Sequence, residues 1–419
     1  MKIAVLTLGC RTNQAESAQI EQTLQALGHR TVEKTVDAEI CIINTCSVTA
    51  KADYQSRQLI SRAVNSGAEV IVTGCYSELN NSLINAKNKG IKIVRNKDKH
   101  RIINIIAGLN SSVILNNIEI KKHRPIIKVQ DGCNNECSYC IVPIARGRSI
   151  SIRPEEVIER VLFYESLGFE EVVLSGIHMG IYGRDLNPMF DLAKLLQLLI
   201  SKTAIRRIRL SSIEINELTD ELMEVLADQR ICRHLHLPLQ SGDDNILSRM
   251  SRSYNSSEYI RAINNVFSIF NNMSVGTDII VGFPGEGESQ FQNTVSIMQS
   301  IEFSYLHVFP YSSRLGTKAS LMKDNVIEFD KKRHVQIMLT IGKKKKMDFL
   351  KYNIGIDHEI IIESCRNNVI TGTTSNYIKV RVPTDASLSP GRLVGVRITG
   401  IEGQDAVGFP LRSAEPLDK

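Results

Sequence analysis

Three cysteines in one short stretch carry the clearest chemistry in the chain. Cys133, Cys137 and Cys140 stand in V-Q-D-G-C-N-N-E-C-S-Y-C-I-V-P-I-A-R-G, residues 129–147, with the spacing C-x3-C-x2-C. Three thiolates so spaced can close on one metal centre from a single loop, and Gly132 lets the chain turn off the preceding strand. Three protein ligands leave one coordination position open. On a 4Fe-4S cube that position is an iron free to chelate a small molecule, whereas a structural zinc is normally closed by a fourth protein ligand. His123, ten positions before Cys133 and on the far side of a strand, is the nearest candidate for that ligand, so structural zinc is the competing reading.

Cys10, Cys46 and Cys75 form a second set, in G-C-R-T-N-Q, N-T-C-S-V-T-A-K-A-D and T-G-C-Y-S-E. Each follows, within three residues, a continuous apolar run over 2–7, 39–44 or 69–73, the pattern of a buried parallel strand. The carboxyl ends of parallel strands share one edge, where open sheets bind ligands, so three residues far apart in sequence converge there. Cys41, inside a strand, reads as a small core hydrophobe, and Cys232 and Cys365 also read as structural.

The elements that must position the first set follow from residue 125 onward. Strands are expected over 126–130, 171–175, 206–211, 234–237, 274–281 and 304–308, with helices such as 154–167 and 218–227 between them. This alternation predicts parallel strands joined by right-handed crossovers, and six such units make an incomplete (β/α) barrel. The cysteine loop follows the first of these strands, at the end where barrels do their chemistry. Later strand ends carry L-S-G-I-H-M-G-I-Y-G, with Gly176, Gly180 and Gly183 able to bring backbone amides close to a ligand, and R-L-S-S-I-E, with Ser211, Ser212 and Glu214. A carboxylate at that strand end suits a ribose hydroxyl or an amino group, although by itself Glu214 reads better as a solvated loop charge. In H-L-H-L-P-L-Q-S-G-D-D, His234 and His236 point to one face of a strand as lining residues.

With 419 residues, 42% of them hydrophobic, the chain suffices for two or three globular domains. No uninterrupted apolar run is long enough to span a bilayer, and M-K-I-A-V-L-T-L-G-C reads as strand and turn. A soluble, intracellular protein is expected. Nine cysteines, an odd number in a chain this long, favour metal or catalytic use over disulfides, and a net charge of +6 permits nucleic acid binding without requiring it. Residues 331–351 hold eight Lys or Arg, including K-K-K-K at 343–346, against Asp348. After them, short alternating strands over 355–408 predict a small closed β-barrel, a module that commonly offers a basic face to RNA.

The C-x3-C-x2-C string, with the aromatic Tyr139 before its last cysteine, resembles the signature of radical S-adenosylmethionine enzymes. The wider D-G-C-N-N-E-C-S-Y-C-I-V-P-I-A-R-G is similar to the methylthiotransferase branch. The resemblance runs from Lys2 to about Leu411. It implies a first 4Fe-4S cluster on Cys133, Cys137 and Cys140 that binds S-adenosylmethionine and cleaves it to a 5'-deoxyadenosyl radical. It implies a second, auxiliary 4Fe-4S cluster on Cys10, Cys46 and Cys75, concerned with sulfur delivery. Tyr139, Gly176, Gly180, Ser212, Glu214, Gln240 and the loop near Gly282 would line the S-adenosylmethionine pocket.

By the same resemblance, residues 1–115 form the auxiliary-cluster domain and 116–124 a linker. Residues 125–352 form the radical domain with its basic helix, and 353–415 an RNA-binding barrel of TRAM type. The strings around Cys10 and Cys46 look most like the branch that methylthiolates N6-threonylcarbamoyladenosine in tRNA, beside the anticodon. An isopentenyladenosine branch is the alternative, and a zinc-containing RNA-binding protein without catalysis the competing class. A cytoplasmic enzyme drawing on an electron donor and a sulfur source is implied. The chain departs from the pattern at Ile215, where relatives usually have proline, and at Arg11, where lysine is common.

Overall fold

A computed structural model describes residues 1–87, 90–107, 120, 123–323, 326–383 and 389–411. The connector expected over 116–124 lies largely outside these residues. The amino-terminal part is a five-stranded sheet, β1 (Lys2–Thr7), β2 (Arg30–Val32), β3 (Ile40–Thr45), β4 (Glu69–Gly74) and β5 (Lys92–Ile93), all parallel in the order β2-β1-β3-β4-β5. Alternation along β3 sends Ile40 and Ile42 to one face and Cys41 and Ile43 to the other, each face sealed by helices, so the strand is apolar throughout. Cys41 is core, as expected.

The central part begins with β6 (Ile126–Lys128). A short ribbon of β7 (Gln130–Asp131) and β8 (Ile150–Ser151) then ties the two ends of the cysteine loop together. The barrel continues with β9 (Glu171–Ser175), β10 (Arg207–Leu210), β11 (His234–His236), β12 (Ser274–Val281) and β13 (Tyr305–Pro310). The strands pair in parallel as β6-β9-β10 and β11-β12-β13. A bridge between Ile208 and Ile231 joins the two halves, and among the described residues β6 and β13 do not pair, so the barrel is incomplete, as predicted. On one side of this gap the helix Arg11–Ala26 lies against β6, and on the other the helix Glu328–Tyr352 lies against β13.

The carboxy-terminal part is a closed barrel of β14 (Asp357–Arg366), β15 (Val369–Thr374), β16 (Lys379–Pro383), β17 (Leu393–Glu402) and β18 (Asp405–Pro410). The basic run lies on the 25-residue helix Glu328–Tyr352 that leads into it. There the lysines divide: Lys343 and Lys344 are exposed, but Lys345 is buried with its Nζ donating to the Gln299 carbonyl at 2.8 Å, so it is not free for phosphate. Cys232 is buried, but Cys365 is exposed near the end of β14 and is not a core residue.

One ion cluster fastens the closed barrel beneath the open one. Glu171, fully buried on β9, accepts from Arg209 at 2.8 Å and lies within ion-pair distance of Arg207 and Arg124. Arg209 in turn donates to the carbonyls of Thr374 and Ser375. Burial opposes the Glu171 charge, but the three guanidiniums outweigh it and hold the carboxyl down to about 2. Its contribution to stability is therefore present above pH 4.5, its ordinary value, and is lost as pH falls through about 2. Glu171→Gln should leave the buried Arg207 and Arg209, and the half-buried Arg124, short of a counter-charge, cost roughly 3–5 kcal/mol in urea unfolding, and flatten that acid limb. A change below about 0.5 kcal/mol would mean that the cluster is dispensable.

Candidate active site

The sheet brings the three strand-end cysteines together. Cys10 caps the helix that follows β1, Cys46 follows β3, and Cys75 opens the short helix after β4, at the carboxyl ends of three adjacent strands. A Cβ on Gly9, whose φ is +97°, would stand 2.8 Å from the Cys46 sulfur, so only glycine lets the two loops approach so closely. Cys10 is exposed, while Cys46 and Cys75 are buried. Burial, with repulsion from Cys75 and Cys10, pushes the Cys46 thiol up to about 11, and burial raises Cys75 as well.

The second trio sits across from the first. In the loop between β7 and β8, the Cys133 sulfur accepts from the Asn135 N–H at 3.4 Å and lies 3.5 Å from His178 Nδ1. Arg252 Nη1 donates to the Cys137 sulfur at 3.3 Å. Burial, with repulsion from Cys137 and Cys133, pushes Cys140 up to about 12. Cys46, Cys75 and Cys140 are thus costly to ionise by themselves and suited to a cationic centre that compensates the thiolates.

Fit to a particular centre can be tested on the donors present. Among the described residues, the His, Cys, Asp and Glu groups whose ligand atoms crowd within 4.8 Å of one another are His236, Asp278 and His307; neither cysteine trio is drawn in that tightly. His123 lines a cavity with Arg11 and Arg124 in which no cysteine is a lining residue. Each trio offers three thiols, the donor set that an iron–sulfur cluster with one open iron would use, whereas a structural zinc would need a fourth ligand.

A cavity of about 220 Å³ lies beside Cys140, lined from both cysteine-bearing parts. Val48 and Thr49 line it from the Cys46 loop, Tyr139 and Cys140 from the other, and Gln240 and Asp278 from the open barrel. Tyr139 is held edge-on to Phe283. Gln240 has the left-handed φ of +75°, stabilised because its N–H reaches the Asp278 carbonyl and its own carbonyl accepts from Ile280. Asp278 accepts from His236 and His307, which favours its charged form against burial.

The remaining expected pocket residues are placed differently. Ser212 is exposed. Glu214 is no solvated loop charge: it pairs with Arg252, the same arginine that reaches Cys137. The room left by Gly176 is taken by Gln130, and that left by Gly180 by the Glu217 carboxylate, so both glycines serve packing within the protein. Glu217 holds His178 on the side away from Cys133; burial disfavours the imidazolium, but Cys133 and Glu217 raise it to about 10.

Sequence reasoning missed the joint between the two cysteine-bearing parts. Glu16 is buried and ion-paired with Lys99, Lys128 and Arg146, the last two at 3.0 Å. Burial works against its carboxylate, and the three cations hold it well below the ordinary range. Arg146 ends the V-P-I-A-R segment of the cysteine loop and also reaches Asn13, three residues after Cys10. Arg314 pairs with Asp53 and donates to Ser47, beside Cys46. The only local signal was the charged residue in each cysteine string.

Residues 127–298 match the Radical SAM superfamily and residues 2–96 the Uncharacterized protein family UPF0004. The chain is 36% identical over 420 residues, 95% of its length and all of the relative's, to the threonylcarbamoyladenosine tRNA methylthiotransferase MtaB of Aquifex aeolicus (strain VF5). It is 31% identical, over 94% of its length and 89% of the relative's, to the tRNA-2-methylthio-N(6)-dimethylallyladenosine synthase of Thermoanaerobacter sp. (strain X514). Among solved structures, the radical S-adenosylmethionine methyltransferase TsrM of Kitasatospora setae matches with a TM-score of 0.55 at 12% identity, covering 74% of this chain and 72% of that one, which supports the fold. With relatives aligned along nearly its whole length and both cysteine-bearing parts matched, the chain belongs to the radical S-adenosylmethionine methylthiotransferase family.

Proposed function

We infer that this enzyme installs a methylthio group at C2 of N6-threonylcarbamoyladenosine in tRNA, in the cytoplasm. The observation that carries the reading is the convergence of Cys10, Cys46 and Cys75 on one sheet edge, with the loop after Cys46 and the loop of Cys140 lining one cavity, so that a sulfur-bearing site and a radical-generating site would serve one substrate. When bound, the two clusters and S-adenosylmethionine supply one-electron chemistry and the methylthio group, which an inert C–H bond requires. Cys133, Cys137 and Cys140 would hold the cluster that binds S-adenosylmethionine, and Cys10, Cys46 and Cys75 the auxiliary one. Arg252 fixes Cys137 and Glu214 together, while Tyr139 and Gln240 wall the cavity.

Residues 1–115 and 125–352 provide the facing halves of the site, and 353–415 the RNA-binding barrel, with exposed Lys343 and Lys344 on the preceding helix near it for phosphates. An external electron donor and sulfur source complete the cycle. The threonylcarbamoyl branch is favoured by the strings around Cys10 and Cys46. Nucleoside analysis of tRNA from a strain lacking the gene tests it: the 2-methylthio form of threonylcarbamoyladenosine should vanish and return on complementation. Loss of the isopentenyladenosine derivative instead would transfer the enzyme to the other branch.

A further inference from the structure

Arg11 follows Cys10 directly, yet its side chain turns away from the sheet into the open barrel. There Nη2 donates to the Tyr377 hydroxyl at 2.9 Å, and the guanidinium lies 5.7 Å from the centre of that ring. Tyr377, in the left-handed conformation at φ +67°, reaches up from the closed barrel and packs 4.3 Å from the His234 ring and 5.7 Å from Tyr305. Arg11 therefore looks onto aromatic rings, beside a cavity of about 390 Å³ that it lines with Gln14, His123, Arg124 and Glu363.

The nearby carboxylates are already engaged. Glu363 is paired with Arg124 at 2.5 Å, Asp278 is held between His236 and His307, and Glu171 is paired with Arg209. Among the described residues Arg11 forms no ion pair, and the hydrogen bond to Tyr377 uses one of its five donors. A half-buried guanidinium with donors to spare beside an open cavity is an anion-binding group, and its planar fork matches a carboxylate.

We propose that Arg11 receives the carboxylate of the threonylcarbamoyl side chain and so selects this substrate. This rests on the function inferred above. The chemistry of the substrate fits the position: C2 and N6 lie on the same edge of the adenine ring, so a base presented with C2 to the Cys10 trio sends its N6 substituent past the residue next to Cys10. An isopentenyl substituent has no charge to offer there. Arg11 is a specificity-determining residue, and the structure ties its orientation to Tyr377 of the closed barrel.

The test uses the reconstituted full chain and an RNA stem-loop carrying threonylcarbamoyladenosine, either as the free acid or as its methyl ester. Wild type should prefer the acid in kcat/KM by roughly ten- to a hundredfold, the range for a hydrogen-bonded charge. Arg11→Met should bring the ratio close to one, and Arg11→Lys should restore most of it. The ratio is read within each variant, so altered folding or cluster loading does not shift it. If Arg11→Met turns over neither RNA, equilibrium binding of the two RNAs gives the same comparison.

A wild-type ratio retained in Arg11→Met, or no acid preference in wild type, overturns the role of Arg11 while leaving the function intact. Wild type that modifies isopentenyladenosine RNA but not threonylcarbamoyladenosine RNA overturns both.

Discussion

A Cys133→Ala variant is expected to lose S-adenosylmethionine cleavage entirely, read as the disappearance of 5'-deoxyadenosine from an anaerobic assay with a strong reductant. The reason is arithmetic on ligands. The loop between β7 and β8 offers three thiols, and the nearest other donor, His178, is committed through its second nitrogen to Glu217. Two thiolates do not retain the cluster, and a cluster that is lost leaves nothing to bind or reduce the cofactor. Iron should fall from about eight to about four per chain, because the other trio lies on a different sheet and does not depend on Cys133. Cleavage at wild-type rate in this variant would remove the radical chemistry from this loop.

The second large effect separates the two trios. A variant with Cys10, Cys46 and Cys75 all changed to alanine should again bind about four irons rather than about eight, yet still cleave S-adenosylmethionine while producing no methylthiolated nucleoside. Burial of Cys46 and Cys75 argues that small alanines are tolerated there, and the Glu16 cluster that joins the two halves is left in place. Methylthiolation retained in the triple variant would refute the division of labour. Equal iron in the variant and the wild type would mean that the strand-end cysteines hold no cluster.

How much of this was legible beforehand depends on the range of the interaction concerned. Strands β1, β9 and β12 fall on the expected residues because a buried parallel strand announces itself in a local apolar run. Convergence of Cys10, Cys46 and Cys75 was equally legible, since parallel strands place their carboxyl ends on one edge whatever the details of packing. The C-x3-C-x2-C loop is local by construction.

What only the tertiary structure decided is the pairing of charges and the filling of space across long separations. Glu214 finds Arg252, His178 finds Cys133 and Glu217, and Glu16 gathers Lys99, Lys128 and Arg146. Gly180 proves to make room for Glu217, and one lysine of the basic run, Lys345, is turned inward to a carbonyl. Periodicity carries no record of such contacts, because a charged side chain looks the same in sequence whether it meets water or a buried partner. The chain by itself determined the strands, the two sets of three thiols and the edges on which they sit. The packing of one part against another decided which cations hold the halves together, which residues wall the cavity beside Cys140, and where Arg11 points.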